Sequence, residues 1–230
     1  MPRTFAVGDV HGHLSMLREV LSQVEAAAAP GDTLVFVGDY IDRGPESKGV
    51  VDEVLRLRER WDGPLVFLLG NHEDMLLDQH RRAQGERPVY DPLCWEMNGG
   101  TACRRSYGEG GIPEAHWAFF QGLRLRYEDE HAHYVHAGFR PGQAPEECSR
   151  TACLMIGEEF LRSAYRWVKP VVFGHTPQQP RGRGSGYFAP RNEPSRIGID
   201  TGSCFGGYLT AVQLPERIFY SSVADPQSSR

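Results

Sequence analysis

With 230 residues, 40% of them hydrophobic and 24% charged, the chain can bury a complete core and needs no second domain. Residues 1–224 therefore read as one domain with a frayed tail at 225–230, and the net charge of −5 excludes attraction to nucleic acid or anionic membranes through overall charge. Five cysteines without a CxxC pair (Cys94, Cys103, Cys148, Cys153, Cys204) fit neither a disulfide framework nor a structural zinc site.

The first segment alternates in the α/β manner. An apolar strand is predicted at Thr4–Val7, then a helix carrying Leu14, Leu17, Val20, Leu21 and Val24 on one face until Pro30-Gly31-Asp32 ends it. Thr33–Val37 reads as a strand, Val50, Val51, Val54, Leu55 and Leu57 as a second helix, and Leu65–Leu69 as a third short strand. This β-α-β-α-β order predicts adjacent strands with helices packed over them. A further helix is predicted to about Gln84, followed by an irregular cap over residues 85–117. Beyond it, Leu123–Tyr127 and His133–Val135 read as a hairpin, Glu158–Tyr165 as a helix, and Pro170–Phe173 as a buried strand. Gln178–Arg196 reads as loop, and Tyr208–Leu214 and Ile218–Val223 as closing strands. No signal-peptide stretch precedes Asp9 and no apolar run spans a bilayer, so a cytoplasmic protein is expected.

Chemistry-bearing residues recur at the ends of these strands. Asp9 and His11 follow the first, Asp39 the second, Asn71 and His72 the third, His136 ends the hairpin, and His175 follows Pro170–Phe173. Any one of them alone has a bland explanation as a turn or a core histidine. Together they point to one crevice, because strand carboxyl ends in an open α/β sheet face the same side. Carboxylate, imidazole and amide oxygen suit a hard or borderline divalent ion such as Mn²⁺, Fe²⁺ or Zn²⁺, and the absence of thiolates argues against closed structural zinc. With Asp39 bridging, two such ions would lie about 3.5–4 Å apart and share one water, which becomes the nucleophile for a phosphate ester.

Gly8-Asp9-Val10-His11-Gly12, Gly38-Asp39-Tyr40-Ile41-Asp42-Arg43-Gly44, Gly70-Asn71-His72-Glu73, His136-Ala137-Gly138 and Gly174-His175-Thr176 resemble the ordered signature of the phosphoprotein phosphatases within the calcineurin-like metallophosphoesterases. Asn98-Gly99-Gly100 and Ile199-Asp200-Thr201-Gly202 are similar to accessory motifs of the bacterial branch, which also includes symmetrical dinucleoside tetraphosphatases. The resemblance implies two mixed β-sheets sandwiched between helices, in α-β-β-α layers. It implies that Asp9, His11 and Asp39 hold one divalent ion and that Asp39, Asn71, His136 and His175 hold the other, with manganese first and iron or zinc as alternatives. His72 matches a general acid oriented by Asp42, and Arg43 a phosphate clamp whose other reading is an ion pair with Asp42 or a nearby acid.

One position departs from the pattern. Gly157 stands where relatives carry a second clamp arginine, so Arg150, Arg162 or a loop arginine must compensate, or small phosphomonoesters bind weakly. Arg181, Arg183, Arg191 and Arg196 read either as a solvated loop or as contacts to a phosphopeptide or extra nucleotide phosphates. Trp95, Tyr107 and Trp117 read as cap packing or as stacking surfaces for a base or phosphotyrosine ring, while His13, His80, His116, His131 and His133 receive no role. Three functions compete: a serine/threonine, or tyrosine, protein phosphatase; a symmetrical dinucleoside tetraphosphate hydrolase; and a silent metal-binding module. A silent module has no need of the proton donor that His72, Asp42 and Arg43 imply. The expected partner is a phosphorylated protein, peptide or nucleotide, with neither nucleic acid nor membrane, acted on by a monomer.

Overall fold

The computed structural model describes residues 2–179 and 186–223. Its elements begin with β1 (Thr4–Val7), α1 (Leu14–Ala27), β2 (Thr33–Phe36), α2 (Ser47–Arg60), β3 (Leu65–Phe67) and α3 (Asn71–Ala83). A π-helical turn at Glu96–Gly100 leads into α4 (Thr101–Tyr107), followed by α5 (Glu114–Gln121) and the strands β4 (Arg126–Glu128) and β5 (His133–Val135). Then come α6 (Arg150–Met155), α7 (Glu158–Leu161), β6 (Val171–Phe173), β7 (Arg191–Glu193), β8 (Arg196–Gly198), β9 (Thr210–Leu214) and β10 (Ile218–Ser221).

Two five-stranded mixed sheets result, ordered β10-β9-β1-β2-β3 and β4-β5-β6-β8-β7. In the first, β1, β2 and β3 run parallel, β9 is antiparallel to β1, and β10 is antiparallel to β9. In the second, β5, β6 and β8 run parallel between the antiparallel edges β4 and β7.

The two-residue alternation of side chains sets the layers. Phe5, Val7, Leu34 and Phe36 face outward into a core with Leu17, Val20, Leu21, Val51 and Val54 of α1 and α2. Their neighbours Ala6 and Val35 face inward, where they meet Tyr134, Val172 and Ile197 of the second sheet. On the far side Val135, Val171 and Phe173 pack with Phe160 and Trp167. The expected α-β-β-α sandwich is therefore present, with three apolar interfaces between its layers.

Some boundaries differ from the reading of the sequence. The hairpin's first strand begins at Arg126, later than Leu123, because Arg124 pairs with the third-strand end through the isolated bridge at Leu68. The helix expected over Glu158–Tyr165 stops at Leu161 and is preceded by the separate α6, capped by the Ser149 side chain. The span expected to be loop up to Arg196 contains β7 and the start of β8, and the expected irregular cap contains the π turn, α4 and the start of α5. The loop arginines Arg181 and Arg183, and the tail expected at 225–230, lie outside the described residues.

Candidate metal centre

Asp9 and His11 follow β1, Asp39 follows β2, Asn71 and His72 open α3, His136 follows β5, and His175 follows β6. The two sheets present these strand ends to one side, and all but His175 are buried. The backbone is bent to reach that geometry: His11, Asp39, Asp42, Arg43 and His175 all take positive φ, between 46° and 71°. Non-glycine residues rarely adopt this region, and such strain concentrates where function over-determines it.

Asp39 is the hub. Its Oδ2 lies 3.5 Å from His11 Nε2, 3.4 Å from His136 Nε2 and 4.0 Å from His72 Nε2. Asn71 Oδ1 lies 2.8 Å from His136 Nε2 and 3.0 Å from His175 Nδ1. Two three-residue groups, His11–Asp39–His72 and Asp39–His136–His175, each bring their donor atoms within 4.8 Å of one another, and they share Asp39.

The rings are held in the form a cation needs. His11 Nδ1 lies 3.0 Å from the Ile41 carbonyl and His136 Nδ1 3.0 Å from that of Val37. Donating the Nδ1 proton to a carbonyl leaves each Nε2 lone pair facing the site, the usual arrangement of a metal-ligating imidazole. Asp9 accepts the His175 backbone N–H at Oδ2 (2.8 Å), while its buried Oδ1 has no partner in the protein. Gly174 makes this possible, since a Cβ there would overlap Asp9 Oδ1. An orphaned buried carboxylate oxygen beside two acid–imidazole groups is what a cation would satisfy.

Electrostatics agree. Burial, with the Asp200 and Asp39 carboxylates, pushes Asp9 well above the usual carboxylate range. Burial also lifts Asp200 to about 7, aided by Asp39. For Asp39 burial acts upward, but His136, His72 and His11 together hold it below its ordinary value. Burial drives His11 well down, with His72 adding to the effect; it lowers His136 and takes His175 to about 4. Neutral imidazoles and crowded acids make a site that gains from positive charge.

Behind the candidate ligands stand two residues whose roles the sequence did not disclose. Glu73, fully buried, accepts four backbone N–H groups: Asp39 (3.0 Å) and Gly70 (3.1 Å) at Oε2, and Tyr40 (2.9 Å) and Ile41 (3.2 Å) at Oε1. It thereby ties the strained Asp39 loop to the start of α3. Asp200 lies just past β8, a strand whose first residue closed the expected loop and whose other two had no assignment, so the strand-end rule that found the other acids passed over it. Recognising Arg196–Gly198 as a strand would have added it.

Asp42 receives His72 Nδ1 at 2.7 Å and the Trp95 indole N–H. Arg43 forms no ion pair with Asp42 or any other acid among the described residues. Its guanidinium is 5.0 Å from the Phe205 ring and 3.5 Å from Cys204 Sγ, exposed at the rim. The expected substitutes for a second clamp are occupied elsewhere. Arg150 binds Asp74 (2.6 Å), Arg162 binds Glu158 (2.7 Å), and Arg191 and Arg196 bond to carbonyls at the end of α7. Of the aromatic candidates, Trp117 stacks on His80 at 4.0 Å, and Tyr107 bonds His116, which in turn meets Asp52. His13 lies against the Val10 carbonyl, and His131 and His133 pair with Glu130 and Glu128.

A model of the calcineurin-like phosphoesterase family matches residues 2–202. The chain belongs to this family. As a calcineurin-like phosphoesterase it is a metal-dependent hydrolase of phosphoric esters. It is 28% identical to serine/threonine-protein phosphatase 1 of Salmonella typhimurium over 91% of both chains. It is also 28% identical to the asymmetrical bis(5'-nucleosyl)-tetraphosphatase PrpE of Oceanobacillus iheyensis, over 94% of this chain and 90% of that one. Among solved structures, a crystal structure described as that of a candidate diadenosine tetraphosphatase has the same fold, with TM-score 0.70, 23% identity, and coverage of 98% and 97%.

Proposed function

We propose that this phosphoesterase removes phosphate from phosphoserine and phosphothreonine in proteins, with Asp9, His11 and Asp39 holding one divalent ion and Asp39, Asn71, His136 and His175 the other. The sharing of Asp39 by two donor groups carries the two-metal part of the reading, and the full-length likeness to a serine/threonine-protein phosphatase supports the choice of substrate. Manganese is the first expectation for these oxygen and imidazole donors, with iron or zinc as alternatives. Such a cation pair, when bound, supplies an activated water and neutralises phosphoryl charge.

The chain's own groups do the rest. Arg43, free of acids at the rim, grips two phosphoryl oxygens with its planar fork. The water oxygen bonds phosphorus as the ester P–O bond breaks, and His72 passes its Nε2 proton to the departing oxygen. Asp42, 2.7 Å from His72 Nδ1, fixes the ring's tautomer and orientation. His72 also stands in one donor group; metal analysis of His72→Asn separates the roles, since a proton donor's loss lowers kcat far more than metal content.

A second reading, dinucleoside tetraphosphate hydrolysis, is favoured by the full-length likeness to an asymmetrical bis(5'-nucleosyl)-tetraphosphatase. The deciding experiment is a panel with added Mn²⁺: phosphoserine, phosphothreonine and phosphotyrosine peptides, an aryl phosphate, and diadenosine tetraphosphate. Preference for the first two supports the protein phosphatase. Preference for the dinucleotide overturns it, and the products distinguish symmetrical cleavage (two ADP) from asymmetrical (ATP and AMP). No helix among the described residues is long and apolar enough to cross a membrane; we place the enzyme in the cytoplasm as a monomer.

A further inference from the structure

The cap segment between α3 and α5 reaches the site through an indole that metal binding does not require. Trp95 is 3% exposed, and its Nε1–H points at both oxygens of Asp42, 3.1 Å from Oδ1 and 2.9 Å from Oδ2. His72 uses only Oδ2. The terminal torsion of a carboxylate is broad and roughly two-fold, so an Asp42 held by one oxygen could turn and take the imidazole with it. A donor spanning both oxygens fixes the carboxylate plane. Indole can only donate, so it leaves the acceptor capacity that His72 uses intact.

The surrounding turn is built to hold that indole. A Cβ on Gly100 would lie 2.6 Å from Cδ2 and Cε2 of Trp95, so only glycine lets the ring seat there. The Arg104 guanidinium lies 4.8 Å from the same ring. Gly99, at φ 102°, accepts the Arg43 backbone N–H through its carbonyl (3.3 Å), and a Cβ there would come within 2.8 Å of Arg43 Cγ. Asn98 donates its side-chain amide to the Cys94 carbonyl at 2.8 Å. One turn, Asn98-Gly99-Gly100, thus sets both the indole behind Asp42 and the backbone of Arg43.

We propose that Trp95 is a positioning residue for proton donation: its N–H locks Asp42 so that His72 presents Nε2 to the leaving oxygen. The proposal rests on the reading of His72 as the general acid. It is not a statement about packing, because a packing role has no preference among leaving groups.

The test compares Trp95→Phe with the parent enzyme on phenyl phosphate, whose leaving oxygen needs a proton, and p-nitrophenyl phosphate, whose leaving oxygen needs one far less. Loss of positioning predicts a kcat about tenfold lower on phenyl phosphate and nearly unchanged on the nitrophenyl ester, with KM and bound manganese unaltered. Equal losses on both esters, or none, overturn the proposal. If Trp95→Phe does not fold, benzothienylalanine at position 95 keeps the bicyclic shape and replaces only the N–H, and the same outcomes apply. His72→Asn runs in parallel. If it shows the leaving-group dependence and Trp95→Phe does not, the indole's role alone is refuted; if His72→Asn lacks it, the proton-donor reading fails and the proposal falls with it.

Discussion

Replacing Glu73 with glutamine tests whether the strained Asp39 loop is held by a buried carboxylate. The substitution keeps volume and shape but turns one acceptor oxygen into an NH₂ group. Each Glu73 oxygen receives two backbone N–H groups, Asp39 and Gly70 on one and Tyr40 and Ile41 on the other. Whichever way the amide turns, two buried donors face a donor. An orphaned buried donor costs about 1–3 kcal/mol, and two in one network are not additive, so a net loss of about 3 kcal/mol is expected. Burial and the neighbouring Asp39 and Asp42 push Glu73 well above the usual carboxylate range, so removing its charge returns part of this cost. For a chain of this size about 3 kcal/mol corresponds to a fall in Tm of roughly 6–12 °C. Thermal melts of the manganese-loaded protein measure it, with manganese affinity read alongside because Asp39 would relax from φ 55°. A Tm within about 2 °C of the parent and unchanged affinity would refute the reasoning.

Gly157→Arg is expected to raise kcat/KM for a small aryl phosphate, because a Cβ there meets nothing within 4 Å. Steady-state assays showing no change or a fall would end that idea. Manganese affinity should weaken as pH falls through about 7: Asp200 titrates near there in the metal-free protein, and a nearby cation favours its ionised form, so binding releases a proton. Calorimetry in buffers of different ionisation enthalpy reads that proton. Asp200→Asn should lower the number of protons released, whereas an unaltered count would assign the pH dependence to another group.

The strands that place the ligands were legible because each is a short, mostly apolar run with Asp, Asn or His within four residues of its end. Thr33-Leu34-Val35-Phe36 is fully buried, and Asp39 follows three residues after it. The reading failed where a strand is central but not apolar. In β8 only Ile197 is hydrophobic; Arg196 is buried because its guanidinium bonds the Phe160 and Leu161 carbonyls, a tertiary contact no local pattern records. Missing that strand left Asp200, named within its motif, without a place beside the other acids. The contact of Trp95 with Asp42 was missed because the two lie 53 residues apart and an indole in a Gly-rich segment looks like packing or a stacking surface. Glu73 was visible within its motif, but its task depends on four backbone donors that only the folded loop brings together.

The most direct measurement is anomalous diffraction from crystals grown with Mn²⁺. Two manganese peaks per chain, both contacting Asp39, with Asp9 and His11 on one side and Asn71, His136 and His175 on the other, are the predicted result. A single peak, or two that do not share Asp39, would contradict the two-metal account.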